Sequence, residues 1–303
     1  MLVVDSKPPS QLRISIVLVV AAGAWGLYWL PLRAAAEAGL GQAWAVVLLS
    51  IAPAPLLLLY TFVKRADLRG TWRQTLIAGG LVGAGFALYG LALVYTSVIR
   101  ATLLFYLMPI WGTVIGAVFL RERVSWRRWA AIAMGLGGLS LMLGVDANSA
   151  ASSSAKSLNI GDAFALISSL LWAAASAYLL GKRHLQLHAT LTMQYLGGGV
   201  LCICIALALE PQLPSIATFL ELAPMALLVT CGLIVPSLFF CLWCSQRIAP
   251  GRVGLLMMSE VLVAVISAAF LLPQEALSST EWLGGVVIVG AAAIEISTKT
   301  ASS

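Results

Sequence analysis

Residues 121–129 spell RERVSWRRW, and residues 273–282 spell PQEALSSTEW. Each stretch follows a long apolar segment and holds a glutamate seven residues before a tryptophan, which opens a second, glycine-rich apolar segment. The residues concerned are Glu122 and Trp129 in the first stretch and Glu275 and Trp282 in the second. The first stretch contains four arginines and the second contains none. One motif therefore occurs twice in the chain, once with positive charge and once without it.

The composition of the whole chain is that of a membrane protein. Hydrophobic residues make up 61% of the 303 residues, charged residues make up 10%, and the mean hydropathy is +0.98. A soluble domain has about 45–50% apolar and about 25% charged residues. Lipid is therefore the expected surrounding of most of the chain. The net charge of +6 is explained by basic loops beside membrane spans, so we expect no nucleic-acid partner.

The distribution of apolar residues predicts an all-α polytopic membrane protein. A spanning helix needs about 20 apolar residues, and windows of this length predict ten spans, which are 14–34, 43–63, 74–95, 100–120, 126–145, 160–180, 190–209, 222–244, 252–272 and 280–297. The small, polar segment 146–158 is typical of a flexible linker. Residues 1–145 and residues 159–303 are then two units of five helices each, joined by an exterior linker.

Basic residues predict how the chain crosses the membrane. Loops on the cytoplasmic side are enriched in lysine and arginine. If the N-terminus is cytoplasmic, fifteen of the eighteen basic residues fall on that side, and the other side keeps Arg33, Arg100 and Lys156. We therefore expect both termini in the cytoplasm.

Five spans are an odd number, so the second unit must enter the membrane from the opposite side to the first. The charge of the two motif copies agrees, because the arginine-rich copy is cytoplasmic and the copy without positive charge is exterior. The prediction is a pair of inverted repeats. Such repeats build secondary transporters, in which the substrate site lies near the midplane between the two halves.

Two five-helix halves, each ending in a pattern like L-x-x-E followed by a tryptophan and a glycine-rich helix, resemble the EamA-like permeases of the drug/metabolite transporter superfamily. YLMP at 106–109 and the tryptophans early in each half are similar to those of the superfamily's bacterial aromatic amino acid exporters. The resemblance implies a ten-helix protein of the bacterial inner membrane with a central aromatic-lined cavity. By position, Trp25, Tyr106 and Trp172 would line that cavity, and Met108 stands where an aromatic residue is expected.

The first span places four large side chains on one face. Trp25, Tyr28, Trp29 and Leu32 follow the i, i+3, i+4, i+7 spacing of a helix face. Trp25 is about a dozen residues into the span, so we expect it to line the cavity. Tyr28 and Trp29 are nearer the predicted end, and we expect them in the interfacial belt where aromatic side chains are enriched.

The third and fourth spans add further candidates. Phe86 and Tyr89 lie one turn apart beside glycines that permit close helix contact, and they either reach the cavity or pack within the bundle. Pro109 removes a backbone donor and frees the carbonyl of Phe105. Tyr106 is three residues before Pro109 and should share its face of the broken helix.

Glu260 is a carboxylate near the middle of the predicted ninth span. A charged side chain at that depth costs about 2.5–3.5 kcal/mol, and such residues usually face a cavity. Glu260 would attract the ammonium of an amino acid or exchange protons. The structural alternative is a hydrogen bond to a neighbouring helix, through Ser237 or Ser267.

The sequence offers few residues that could form an enzyme active site. His184 and His188 have the i, i+4 spacing of a metal pair, but they fall in a predicted cytoplasmic loop without a third ligand. No glycine-rich phosphate-binding loop is present. We expect no catalytic residue, no cofactor and no metal.

The prediction is a secondary transporter that exports small organic metabolites by alternating access. Aromatic or other large neutral amino acids are the first choice of substrate. The same fold with another substrate, such as a drug, a nucleobase-like compound or a threonine-like solute, is the nearest alternative. An intramembrane enzyme and a membrane scaffold are the other two. The expected partners are the small-molecule substrate and the lipid bilayer, and we expect a monomer.

Overall fold

The structure, a computed structural model, describes residues 10–64, 68–96, 98–142, 159–271 and 278–297. All regular secondary structure in these ranges is helical. The α-helices are α1 (Gln11–Trp25), α2 (Trp29–Ala35), α3 (Gln42–Ile51), α4 (Ala54–Val63), α5 (Trp72–Tyr95), α6 (Val98–Phe105), α7 (Met108–Phe119), α8 (Trp126–Met142), α9 (Ile160–Leu179), α10 (Leu187–Leu209), α11 (Ile216–Val229), α12 (Val235–Ser245), α13 (Pro250–Met257), α14 (Ser259–Leu271) and α15 (Ser279–Ser297). The predicted linker 146–158, Glu275 and the side chain of Arg100 lie outside the described residues.

Seven helical stretches in the described residues are long and apolar enough to cross a membrane. They are Gln11–Leu40, Gln42–Val63, Trp72–Tyr95, Ala101–Phe119, Ile160–Leu179, Leu187–Leu209 and Ile216–Ser245. These stretches coincide with seven of the predicted spans. The other three predicted spans, 126–145, 252–272 and 280–297, contain the shorter helices α8, α13 with α14, and α15.

The outer surface of the bundle is apolar and part of its interior is polar. Phe62, Phe119 and Phe270 are among the large hydrophobic side chains that are mostly exposed, whereas Gln194 and Glu260 are buried. This is the reverse of the arrangement in a soluble domain. It is the arrangement that a helical bundle adopts when lipid covers its outside.

Several of the long helices are interrupted, and proline accounts for most of the breaks. A 3₁₀ turn, Gly26–Tyr28, precedes Pro31 in the first stretch, and a π turn, Thr230–Ile234, precedes Pro236 in the seventh. Proline disrupts the ladder because it lacks the amide hydrogen and clashes with the preceding turn. The predicted break at Pro109 is present, since α6 ends at Phe105 and α7 begins at Met108.

A matching break separates α13 from α14 at Met258, where no proline is nearby. Phe105, at the end of α6, and Met258 each stand seventeen residues before the glutamate of their motif, Glu122 or Glu275. The two interruptions therefore fall at equivalent places in the two halves of the sequence.

The two halves pack mainly against each other, in a pattern that is symmetric between them. The first helix of each half packs on the third helical stretch of the other, as α1 does on α12 and α9 does on α5. In the same way α1 packs on α14 and α9 packs on α7, while α7 packs on α13 and α8 on α15. The centre of the molecule is thus built from both halves.

Glycines permit the closest of these contacts. A Cβ atom on Gly83 of α5 would lie 2.3 Å from the carbonyl oxygen of Gln194 in α10, and one on Gly198 would lie 2.7 Å from the carbonyl oxygen of Gly83. A Cβ atom on Gly26 would lie 2.4 Å from the carbonyl oxygen of Glu260 in α14. Real Cβ atoms do not approach so closely, so the backbones meet directly at these points.

Candidate functional site

The predicted cavity residue Trp25 lies at the centre of a group of aromatic rings. Its ring centroid is 5.3 Å from that of Trp172, 5.8 Å from Phe86, 5.9 Å from Tyr89 and 6.5 Å from Phe105. Both tryptophans are buried. These separations are typical of favourable aromatic pairs, so the rings form a continuous aromatic interior.

Further rings extend this group in two directions. Phe86 contacts Tyr28 at 5.4 Å and Tyr195 at 6.1 Å, while Phe105 contacts Tyr89 at 4.2 Å and Tyr106 at 5.2 Å. We call the whole set the aromatic cluster, which consists of Trp25, Tyr28, Phe86, Tyr89, Phe105, Tyr106, Trp172 and Tyr195. Its members come from the first, third and fourth helical stretches of one half and from α9 and α10 of the other.

The position of Trp172 depends on a glycine in the facing helix. A Cβ atom on Gly85 of α5 would lie 2.9 Å from Cδ1 of the Trp172 ring. The hydroxyl of Ser168, one turn before Trp172 on α9, donates to the carbonyl of Gly85 at 2.6 Å. The absence of a side chain at position 85 therefore lets the indole reach the centre of the bundle.

Glu260 lies beside the aromatic cluster and is bound by two of its members. The hydroxyl of Tyr106 is 2.5 Å from Oε2 of Glu260, and the hydroxyl of Tyr89 is 3.1 Å from Oε1. The Tyr106 hydroxyl is also 3.0 Å from the carbonyl oxygen of Met257. In the described part of the chain no lysine, arginine or histidine forms an ion pair with Glu260.

The predicted partners of a structural Glu260 were wrong. Ser237 donates to the carbonyl of Ala21, and Ser267 accepts a hydrogen bond from Nε1 of Trp29 at 3.2 Å. Both serines are thus engaged elsewhere, and the tyrosines of the aromatic cluster take their place around the carboxylate.

Several polar atoms in and around the aromatic cluster have no hydrogen-bond partner within the described residues. They are Nε1 of Trp25, Nε1 of Trp172, the hydroxyls of Tyr28, Ser176 and Tyr195, and the side-chain amide of Gln194. Each of these six residues is buried. A buried polar group without a partner costs about 1–3 kcal/mol, so these atoms are suited to bind a polar ligand.

The structure corrects the prediction for Tyr28 and adjusts that for Met108. Tyr28 was expected at the membrane interface, but it is buried within the aromatic cluster. Met108 is buried as well, and its Cε lies 3.1 Å from where a Cβ atom on Gly254 of α13 would be. Met108 therefore lies where the two halves meet.

Phe105 and Tyr195 belong to the aromatic cluster and were missed. Phe105 adjoins Tyr106 at the predicted break, which was a usable signal, because a residue at a helix break can point differently from its neighbours on a regular helix. Tyr195 follows Gln194 in an otherwise apolar helix. Two adjacent polar side chains there were the signal that a polar interior is near.

A second group of charged residues lies where α8, α13 and α15 meet. Nε of Arg128 is 3.3 Å from Oε1 of Glu295, and Nη1 of Arg128 is 3.4 Å from Oε2 of Glu122. Nη2 of Arg252 donates to the hydroxyl of Ser15 at 3.0 Å. Burial raises the pKa of Glu122, and Arg128 opposes this shift. Arg128 is therefore a buried structural residue, whereas the sequence predicted only a basic residue on the cytoplasmic side.

The paired histidines have other roles in the structure. Nε2 of His184 is 2.8 Å from Oε1 of Gln74, and the ring of His188 lies edge-on to Tyr60 at 5.7 Å. Among the residues that the structure describes, no three histidine, cysteine, aspartate or glutamate side chains are grouped as metal ligands.

Comparison with known proteins identifies the family. The sequence model of the EamA-like transporter family matches residues 12–144 and again residues 159–296. A solved structure described as "Crystal structure of protein" superposes with a TM-score of 0.68 at 18% sequence identity, covering 94% of this chain and 98% of the other; this likeness concerns the fold. No curated protein matches. The chain belongs to the EamA-like transporter family, and it is a multi-pass membrane transporter of small metabolites.

Proposed function

We propose that the protein exports aromatic or other large neutral amino acids across the bacterial inner membrane. The observation that carries the proposal is the aromatic cluster around Trp25, in which two buried indole N–H groups have no partner in the described chain and a carboxylate lies alongside. These groups supply what an amino acid needs, namely an apolar surface, hydrogen-bond donors and an acceptor for its ammonium.

Each part of an amino acid has a matching group in this region. The rings of Phe86, Tyr89 and Trp172 offer flat faces to an aromatic side chain. The indole N–H groups of Trp25 and Trp172 donate to the substrate carboxylate, which needs no buried cation if its oxygens accept enough hydrogen bonds. Glu260 attracts the ammonium. Tyr106 positions Glu260, and Met108 lies next to this region on the α13 side.

Alternating access would use the symmetric packing of the halves. We infer ten spans, arranged as two inverted five-helix repeats, 1–145 and 159–303, with both termini in the cytoplasm and 146–158 as exterior linker. The equivalent helix breaks at Phe105 and Met258 support this inference, because interrupted helices at the repeat interface form the substrate site in many secondary transporters. Rocking of one half against the other would expose the aromatic cluster to each side in turn.

The test is counterflow of labelled substrates in liposomes that contain the purified protein. The panel holds tryptophan, phenylalanine, tyrosine, leucine, threonine, lysine and a nucleobase. We expect uptake of the aromatic amino acids and leucine, and strong impairment by Trp25→Ala, Tyr106→Ala or Trp172→Ala. Trp126→Ala is the matched control, because Trp126 is 75% exposed on the outside of the bundle. Absence of flux for the whole panel with folded protein would overturn the proposal.

A flat apolar cation, such as a cationic drug, is the second candidate substrate. The observation that favours it is Glu260, whose carboxylate forms no ion pair with a basic residue among those described. Ethidium in the same counterflow assay separates the two candidates, since an aromatic cation lacks the carboxylate that the indole N–H groups would bind. Uptake of ethidium without uptake of amino acids would favour the drug.

A further inference from the structure

We propose that Glu260 is a proton-binding site and that its protonation lets the Tyr106 hydroxyl donate to the backbone of the other half while it accepts from the Glu260 carboxyl group. Only the coupling of this proton to substrate transport rests on the proposed function. The proton site itself follows from the hydrogen bonds around Glu260, which can be counted.

The first step is the free carbonyl at the break in α13 and α14. In a continuous helix the amide of Val261 would donate to the carbonyl of Met257. In this structure the amide of Val261 donates to the carbonyl of Met258 at 3.1 Å instead. The carbonyl of Met257 is thereby left to another donor, and the hydroxyl of Tyr106 lies 3.0 Å away.

The second step is a count of hydrogens. Three acceptors converge here: the two carboxylate oxygens of Glu260 and the carbonyl oxygen of Met257. The donors are the hydroxyls of Tyr89 and Tyr106, and each hydroxyl has one hydrogen. When Glu260 is ionised, two hydrogens must serve three acceptors, so Tyr106 serves either the carboxylate or the Met257 carbonyl.

Adding one proton to Glu260 completes the network. The carboxyl O–H then donates to the oxygen of Tyr106, Tyr106 donates to Met257, and Tyr89 donates to the remaining carboxyl oxygen. The 2.5 Å separation of Tyr106 and Glu260 suits an O–H···O bond in either direction. The step is proton transfer alone: hydronium gives its proton to the carboxylate, and water leaves.

The described surroundings of Glu260 favour neutralisation of its carboxylate by a proton and not by a basic side chain. The titratable side chains that face Glu260 are Tyr89 from α5, Tyr106 from the break between α6 and α7, and Cys241 from α12. The turn after α1 contributes backbone at Gly26, and α9 contributes the apolar ring of Trp172 to the adjoining cluster. None of these groups is a cation, and an ionised carboxylate without one is costly at this depth.

The consequence is a bond between the halves that depends on protonation. Tyr106 lies at the break of one half and Met257 at the equivalent break of the other. Protonation of Glu260 commits the Tyr106 hydroxyl to Met257 and ties the two breaks together. Loss of the proton lets the hydroxyl turn to the Glu260 carboxylate, which also belongs to the second half, and leaves two hydrogens for the three contacts between the halves. Proton binding therefore favours the arrangement in which the two breaks meet.

Infrared difference spectroscopy of the purified protein in detergent tests the proton site without any substrate. Between about pH 5 and about pH 9 we expect a protonated-carboxyl band that titrates, is absent in Glu260→Gln and remains in Glu37→Gln, an exposed control. Tyr106→Phe should keep the band but shift its frequency, because the acceptor of the carboxyl hydrogen is lost. A spectrum in which no titrating band depends on Glu260 would overturn the proposal.

Coupling is tested in liposomes with a trapped pH dye. We expect substrate flux to move protons in the wild type, and whatever substrate flux Glu260→Gln retains to move none. Amino acid flux with no proton movement and no Glu260 band would sink the proton site while leaving the proposed function intact. A titrating Glu260 band without flux of any amino acid would do the opposite.

Discussion

The guanidinium of Arg128, in α8, lies 3.3 Å from the carboxylate of Glu295, in α15, and both side chains are buried. The two residues are far apart in the sequence, one in each half. Removing one partner of a buried pair leaves an uncompensated charge, which costs about 3–5 kcal/mol. The pair therefore holds the last helix of each half together.

We expect Arg128→Ala to lower the thermal stability of the protein sharply. Arg127→Ala is a matched control, since Arg127 is exposed and adjoins Arg128 in the same helix. Fluorescence-detected size-exclusion chromatography after heating measures the folded fraction of each variant. Equal melting temperatures for the two variants would mean that the Arg128–Glu295 pair contributes nothing to stability.

Gly83 should tolerate no side chain, because its backbone meets Gln194 directly. We expect Gly83→Ala to destabilise the contact of α5 with α10 by about 1–3 kcal/mol, the usual cost of overpacking. Gly80→Ala is the control on the same helix, because nothing lies within 4 Å of a Cβ atom there. Gly80→Ala should be neutral or slightly stabilising, and a Gly83→Ala protein as stable as this control would contradict the close contact.

The indole N–H groups can be tested apart from the indole rings. Trp25→Phe and Trp172→Phe keep an aromatic ring and remove the donor, so each should weaken tryptophan binding by about tenfold, the effect of losing one hydrogen bond to a carboxylate. Tryptamine lacks the carboxylate, and its binding should change much less. Competition with labelled tryptophan in counterflow measures both affinities, with Trp126→Phe as control. Parallel losses for the two ligands would show that the N–H groups do not bind the carboxylate.

The stability of the protein should depend on Glu122 in a defined pH direction. Burial raises the pKa of Glu122 in the folded protein, so the folded state binds this proton more tightly than the unfolded state. The contribution to stability is then fully present below the unfolded pKa and is lost as pH rises through the raised folded pKa. Glu122→Gln should remove this decline, whereas Glu37→Gln should not. Melting curves measured across the acidic range would contradict the prediction if wild type and Glu122→Gln fell in parallel.

The sequence was sufficient for seven of the predicted spans, because hydropathy windows depend only on local composition. It was also sufficient for the break at Pro109. It failed for Tyr28 because the first helical stretch runs to Leu40, beyond the predicted end at residue 34. Tyr28 is therefore about 18 Å of helix from Leu40, at 1.5 Å a residue, and it is buried within the aromatic cluster.

Sequence patterns could not predict the contacts between the two halves. Tyr89 and Tyr106 are 171 and 154 residues before Glu260, respectively, and no local spacing connects them. Arg127 and Arg128 are both arginines and are adjacent in the chain. Only Arg128 is buried, because only Arg128 reaches Glu295. The packing of the helices decides these pairings.

The meeting of Gly26 with the backbone of Glu260 has a practical consequence. Because a Cβ atom at position 26 would fall 2.4 Å from the Glu260 carbonyl oxygen, a single methyl group there would act as a wedge between α1 and α14. Under the proposed alternating access, a protein that closes this contact in each cycle would be held with it open. We therefore expect Gly26→Ala to arrest the protein partway through the proposed cycle, in a state suited to structural study.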